Sequence, residues 1–517
     1  MKGKKVLLLI TLVSVVSSFA LAGCGSKKES EVADGSNKNV TLKYWQELGV
    51  NASAGIKSMN ENAVYKELEK KTGVHIEFIH PAEGQAQEQF NLMINNKELP
   101  DIIQEYGRYY PGGYDKAIED GTYLKLNDYI DKYAPNYKKL RDDNKDIAKQ
   151  TISDKGNIYA FSCIQNEVEP AWWGPMIRKD WLDELGLKAP TTMDEWHTVL
   201  KAFKEKKGVE APLMLPKTGY DITGGTFLGA YDIGPDFYQK DGKVKYGLVE
   251  PGFKEYLTEM NKWYKEGLID RDFATRDRKS KDAMYTSGKT GAYLAAYGNV
   301  DMYTASLKAN DPKGQFEAAV YPSLKPGETV HYRNNNTYNK GYEAVITSSC
   351  KNPVEAVKWF DYGYGEEGAM LYNYGPKDVS YKMVDGKPEF TELLTKDPSG
   401  LNFWAIADKY KVGIGPYLRD YKAVPPFSNE AKDGMDKWTR AQDDYVLPEV
   451  TLTAEESEAY SSIMSEVETY TKEKILKFII GAEPLSNFDA YVKEVKNMKI
   501  DEAIKIKQTA LDRYNNR

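Results

Sequence analysis

Val40-Thr41-Leu42-Lys43-Tyr44-Trp45 alternates apolar and polar side chains with a period of two, which predicts a half-buried strand. Within 61–71, Val64, Tyr65 and Leu68 fall at helical spacing, and Gly73 ends the run. Val74-His75-Ile76-Glu77-Phe78-Ile79 returns to strand periodicity. Strand, helix and strand in this order predict a parallel pair with a crossover helix. A helix around Phe90 to Asn95 and a short strand at Pro100-Asp101-Ile102-Ile103-Gln104 extend the α/β pattern.

Further along, Thr192-Met193-Asp194-Glu195 has the form of a capping box. It predicts a helix with Met193, Trp196, Leu200 and Phe203 on its apolar face, stopped by Gly208. Pro353 suits the first position of a helix over 353–362. A second box, Thr453-Ala454-Glu455-Glu456, opens a long helix through Tyr460, Ile463, Val467, Tyr470, Ile475 and Phe478 to Gly481. Roughly 480 folded residues exceed what one core supports, so two or more lobes are expected.

The amino terminus follows a different pattern. Lys2, Lys4 and Lys5 precede an uncharged run from Val6 to Ala22, and Leu21-Ala22-Gly23-Cys24 closes it. This is the pattern of a secretory signal, expected over 1–23 and excluded from fold reasoning. Its end resembles the lipobox of bacterial lipoproteins, which would make Cys24 the lipidated first residue. Residues 24–39 are polar and lack aromatics after Cys24, and read as a flexible tether. No later run is long and apolar enough to span a bilayer, so membrane contact is expected through lipid alone.

Composition removes other classes. The formal charge is −7, and losing Lys2, Lys4 and Lys5 with the signal lowers it to −10. That argues against nucleic acid as a partner. Cys163 and Cys350 remain, either paired or as buried thiols. The four histidines, His75, His80, His197 and His331, lack zinc-site spacing, and no GxSxG elbow occurs. Ser287-Gly288-Lys289-Thr290 lacks the earlier glycine of a phosphate loop, since Ala283 stands there, and it leads into the strand-like Tyr293-Leu294-Ala295. Nothing singles out a carboxylate pair for glycoside hydrolysis. No cofactor and no metal are expected.

Aromatic residues in loop-like places are the positive signal. Tyrosines number 38 against 16 phenylalanines. Three of nine tryptophans lie within Val168–Trp181. Flat apolar faces with polar handles suit sugar rings, with Asp, Glu, Asn, Gln and Arg for the hydroxyl rim. The candidate ligand contacts are Trp45, Gln46 and Glu47; Tyr106, Arg108 and Tyr109; Trp172 and Trp173; Tyr297 and Asn299; and Trp404, beside Asn402 and Phe403. Each group follows a strand or lies beside glycine or proline, as ligand loops of open α/β sheets do. The alternative for any one of them is packing between lobes.

Three segments carry a family resemblance. The first is Arg178-Lys179-Asp180-Trp181-Leu182-Asp183-Glu184-Leu185-Gly186-Leu187, with Pro190-Thr191-Thr192 and Asp194-Glu195-Trp196. The second is Tyr372-Asn373-Tyr374-Gly375 with Tyr381-Lys382-Met383-Val384-Asp385-Gly386-Lys387-Pro388, where Pro376-Lys377 replaces the usual glutamate-glycine. The third is Phe478-Ile479-Ile480-Gly481 with Pro484-Leu485-Ser486-Asn487-Phe488-Asp489. The chain resembles the extracellular solute-binding lipoproteins, family 1, of carbohydrate ABC importers, in the long Gram-positive subgroup. The resemblance implies a two-lobed periplasmic-binding-protein-like fold of type II, with discontinuous lobes joined by a hinge. The first lobe would take 40–160 and 325–400, the second 161–324 and 401–517. It implies a monomer on the extracellular face of the membrane, with a saccharide and ABC permease subunits as partners. Trp172-Trp173 would lie at the cleft mouth, one indole under a sugar ring and the other packed into the second lobe.

Two further readings are carried. One is a peptide or polar-solute binder of the same fold, using Arg108 or Arg178 for a carboxylate. The other is a secreted glycan-cleaving enzyme.

Overall fold

Alternation along Val40–Trp45 turns Leu42 and Tyr44 inward and leaves Thr41 and Lys43 exposed. This strand is the centre of the first sheet, whose order is Ala344–Ile346, Ile102–Gln104, Val40–Trp45, Val74–Ile79. The first pair is parallel, as the strand–helix–strand order predicts, and Ala344–Ile346 closes one edge antiparallel. The connecting helix Ala63–Thr72 is capped by the Asn62 side chain and ends at Gly73, φ 72°. The computed structural model describes residues 40–220, 225–334, 337–396, 401 and 403–517. The signal, Cys24, the 24–39 tether and Asn402 lie outside the described residues.

The second sheet runs Phe316–Ala318, Trp173–Arg178, Thr290–Ala296, Ala211–Leu213. Trp173–Arg178 is antiparallel to both neighbours, while Ala211–Leu213 and Thr290–Ala296 are parallel. Both capping boxes form, at Thr192–Glu195 and Thr453–Glu456. The first helix, Met193–Ala202, continues as one π-helical turn, Phe203–Lys207, before Gly208. The second runs Ala454–Ile480 and stops at Gly481. Ser287 caps the carboxyl end of the helix Arg278–Thr286 and leads into a strand, so the phosphate-loop lookalike opens no helix.

Each sheet has its own core. Leu42, Tyr44, Ile76, Phe78, Trp359 and Phe360 fill the first. Trp196, Phe227, Trp263, Tyr293, Trp438 and Phe478 belong to the second. Val412 and Tyr417 join the first core, and Val330 and Tyr332 the second. The stretches just after 401 and 325 thus pack opposite to the expected lobe assignment. The reason lies in where the chain crosses. Residues 164–165, 338–341 and 417–419 lie side by side: Gln165 N donates to Tyr338 O at 2.8 Å and Asn166 N to Arg419 O at 3.0 Å. Leu418–Arg419 pairs parallel with Ile164–Gln165. Three backbone strands therefore connect the two halves at one line, the geometry of a hinge.

A second tie joins the halves away from that line. Asp154 accepts from Arg513 Nε at 2.7 Å and Arg517 Nε at 2.9 Å, and Arg513 also reaches Glu456. Burial opposes ionisation of Asp154, but these two arginines hold its carboxyl below the usual range.

Local packing explains the glycine after the tryptophan pair. A Cβ at Gly174 would stand 2.4 Å from the Trp438 indole. That indole is fully buried and donates to Ala319 O at 2.9 Å, so it cannot retreat cheaply. Cys163 and Cys350 are free buried thiols, and burial pushes Cys163 up to about 11. Among the described residues no helix is long and apolar enough to cross a membrane.

Candidate ligand-binding cleft

The carboxyl ends of parallel strands set the site. Ala211–Leu213 and Thr290–Ala296 end at the same edge, and Trp173–Arg178, running the other way, begins there with Trp173 opposite Ala296. Loops 214–217 and 296–299 and the pair Trp172-Trp173 therefore converge, as in open α/β sheets generally. From the first half, the helix Phe403–Tyr410 brings Trp404. Its close seat on the helix Val50–Gly55 is fixed at Gly55, where a Cβ would meet Ala405 O at 2.5 Å.

A cavity of ≈350 Å³ is walled from both halves. Trp172, Tyr297, Asn299 and Met302 come from the second, Asn51 and Trp404 from the first. Trp404 is 40% exposed, and its ring comes within 4.0 Å of where a Gly298 Cβ would stand. Asn299 Oδ1 accepts from Ala296 N at 3.1 Å, which fixes the turn into the helix Gly298–Lys308.

The hinge contributes charge to this cavity. Glu169 is 6% exposed and accepts from Tyr297 Oη at 2.8 Å. Lys340 Nζ and Arg419 Nη1 each lie 3.4 Å from its Oε2. Arg419 also donates to Gln165 Oε1 at 3.0 Å, within the crossing strands. Burial lowers the Lys340 pKa, with Glu169 opposing. Burial and then Glu169 push the Tyr297 phenol well up, so it stays a neutral donor. Lys340 Nζ also stands 5.8 Å from the Trp172 ring centroid.

A larger cavity of ≈560 Å³ adjoins the first and shares Arg278, Asp282 and Asn299 with it. Trp173 walls this one, beside Leu215, Leu294 and Tyr285. The two indoles meet edge to face at 5.5 Å and 74°. Both are partly buried against the second core, and each walls a different cavity. Among the described residues, the buried Trp173 Nε1 has no hydrogen-bond partner.

The other sequence candidates fall elsewhere. Trp45 is 2% exposed, packed with Phe90, Ile103 and Tyr159, and offers no face to a ligand. Gln46 is likewise buried, its backbone bonded to Ile79 and His80. Tyr106 donates its hydroxyl to Glu47 at 2.9 Å and rests edge-on against Trp45. Tyr109 is exposed beside Tyr106. Arg108 pairs with buried Glu343 at 3.0 Å, in a separate cavity of ≈530 Å³ lined by 447–451. Arg178 is fully buried, bidentate to Asp180, paired with Asp311 and stacked over Trp181, so it is not available to a ligand. Sequence reasoning missed Glu169, Lys340 and Arg419, whose convergence depends on the crossing segments, and Arg278 and Asp282, which the helix Arg278–Thr286 brings to both cavities. Among the described residues no cluster of three His, Cys, Asp or Glu is placed to hold a metal.

Comparison with known proteins agrees with this architecture. A family model described as bacterial extracellular solute-binding protein matches residues 55–370. The fructooligosaccharide ABC transporter substrate-binding protein FusA of Streptococcus pneumoniae is 26% identical, covering 97% of both chains. The polygalacturonan/rhamnogalacturonan-binding protein YtcQ of Bacillus subtilis is 29% identical over 74% of each. The crystal structure of the alginate-binding protein AlgQ2 without calcium ion superposes with a TM-score of 0.76 at 25% identity, over 92% of this chain and 98% of that one.

Proposed function

The chain belongs to the bacterial extracellular solute-binding proteins, and from that premise we propose that it captures an oligosaccharide between its lobes and delivers it to the permease of an ABC importer. The observation that carries this reading is the cavity walled from both halves, with Trp172, Tyr297 and Trp404 around it. Indole faces cover the apolar faces of sugar rings, while Asn299, Glu169 and Arg419 meet hydroxyls. The names of FusA and YtcQ support a carbohydrate ligand. We divide the chain into lobes at the crossing strands near 165, 338 and 418.

Capture needs no covalent step. The lobes rotate about the hinge, and a ligand touching both favours the closed form by its differential affinity for it. The Glu169 cluster sits where this rotation is felt, since Arg419 belongs to a crossing strand and Tyr297 to the second lobe. Leu21-Ala22-Gly23-Cys24 supports a diacyl anchor at Cys24 that holds a monomer at the outer membrane face, within reach of its permease.

The test combines calorimetry with small-angle scattering on the purified protein and a panel of oligosaccharides. We expect binding with a smaller radius of gyration in the complex. Binding without compaction would remove the closure mechanism. New reducing ends on incubation would establish an enzyme instead.

A further inference from the structure

Two halves that turn on one hinge line have a single rotation open to them. A contact made away from that line belongs to one narrow range of hinge angles. Such contacts are made together here at two places. One is the cleft mouth, where the Trp404 ring comes within 4.0 Å of where a Gly298 Cβ would stand. The other is the tie around Asp154.

Arg517 follows the helix Ile500–Asn515, whose Ile500 and Ala503 belong to the second core. Its guanidinium reaches into the first half. It donates to Lys149 O at 3.1 Å, Ile152 O at 2.8 Å and Asp154 Oδ1 at 2.9 Å, and also to Thr451 Oγ1. Arg513, on the helix itself, donates to Asp154 Oδ2 at 2.7 Å and to both oxygens of Glu456. Two arginines thus face two carboxylates. The nearby Lys149 ammonium rests over the Tyr514 ring, 4.5 Å from its centroid. The side chains of Asp154 and Arg517 are each 10% exposed, so water screens this pair little. Beside them the backbones also meet closely: a Cβ at Gly112 would stand 3.3 Å from the Ala454 Cβ, at the start of the helix Ala454–Ile480.

The tie stands off the hinge line. Between them lies the ≈530 Å³ cavity, with Glu343, just past the crossing segment 338–341, on one side and Thr451 and Arg517 on the other. Hydrogen bonds of this length tolerate a shift of only a few tenths of an ångström. Swinging the cleft mouth open therefore pulls the tie apart, and closing the mouth remakes it.

We propose that the tie of Asp154 with Arg513 and Arg517 is a latch that engages as the cleft closes, and that it sets ligand affinity without touching the ligand. This rests on the hinged capture described above and deepens it. Asp154 and Arg517 are positioning residues. The ligand-free protein exchanges between open and closed orientations, and the latch raises the closed fraction. Apparent affinity scales with that fraction, so the latch acts by the same factor on every oligosaccharide that closes the cleft.

The experiment is calorimetry with fructo-, galacturono- and manno-tetrasaccharides, and small-angle scattering with and without them, on the full protein. D154N keeps the size of the side chain and removes its charge. It should weaken each tetrasaccharide that the parent binds by about tenfold, and by one common factor. R517Q should do the same, and D154N/R517Q should be no weaker than the weaker single variant. Ligand-free D154N should have a larger radius of gyration than the ligand-free parent and should compact more on binding. Unchanged or tighter binding by D154N would overturn the latch and leave saccharide capture standing. A loss confined to one tetrasaccharide would make Asp154 a ligand contact and overturn it too. A parent that binds no tetrasaccharide would count against the saccharide reading alone. The scattering of ligand-free D154N against the parent would then decide the latch, and equal radii would overturn it.

Discussion

At the carboxyl edge of the first sheet, Trp45 is 2% exposed and the Tyr106 hydroxyl is taken by Glu47. At the same edge of the second sheet, Trp172 and Trp173 are only partly buried and each walls a cavity. Both edges carry tryptophan and tyrosine just where strands end. What separates them is what the rest of the chain puts beside them. Phe90, Ile103 and Tyr159 close over Trp45. Gly174 lets Trp438 pass beneath the second pair, which keeps the indoles at the surface of their core. An aromatic at a strand end is a candidate ligand platform only when no neighbour fills the space over it.

The sharpest way to break this contrast is to truncate one tryptophan from each edge. Trp45→Ala should cost about 3–5 kcal/mol of stability, the scale of a large-to-small core change. Ligand affinity of the folded fraction should stay unchanged. Urea unfolding and calorimetry give the two numbers. Trp172→Ala should do the reverse. It should weaken oligosaccharide binding by about 1–3 kcal/mol while costing less stability than Trp45→Ala. Equal losses of affinity in both variants would erase the distinction between the edges.

The sequence made the frame legible and the site only in part. Alternation over Val40–Trp45 and Val74–Ile79 is local, and so are the capping boxes, so both were readable. Trp172, Tyr297, Asn299 and Trp404 were readable as aromatics and amides beside turns, and they do surround one cavity. Trp45 was misread because its cover comes from residues up to 114 positions away, which no periodicity reports. The Glu169, Lys340 and Arg419 cluster was invisible for the same reason. Its members sit on three crossing segments that meet only in the folded chain. Arg278 and Asp282 reach the cavities only because their helix stands opposite the loop 214–217, a juxtaposition that no local pattern reports.

The support beneath Trp404 offers a pH test. Lys411 directly follows its helix; it is buried and donates to Ala423 O at 2.7 Å, beside the Phe390 and Phe403 rings. Burial and then Arg419 bring the Lys411 pKa down to about 7, with Asp408 and Asp420 opposing. An unfolded lysine titrates near 10.4, so between about pH 7 and pH 10 the unfolded chain binds more protons than the folded one. Stability should therefore rise with pH across that window, by up to about 1.4 kcal/mol per unit from this group. Lys411→Met should flatten the rise and stabilise the protein most at its lower end. Urea midpoints across the window report it. A parent protein with no rise in the window would mean that Lys411 stays charged in the fold.

The smallest effect belongs to Tyr109. It is 52% exposed at the first edge, tilted against Tyr106 at 5.6 Å, and walls neither cavity that the tryptophan pair faces. Tyr109→Ala should change stability by no more than about 0.5 kcal/mol, as for exposed positions generally. It should also leave oligosaccharide affinity within error of the parent. The measurement is the same calorimetric titration used for Trp172→Ala. An affinity loss as large as that of Trp172→Ala would mean that the bound chain reaches across to the first sheet. The two edges would then form one continuous platform, and the exposed tyrosine rather than the buried tryptophan would be its contribution from that side.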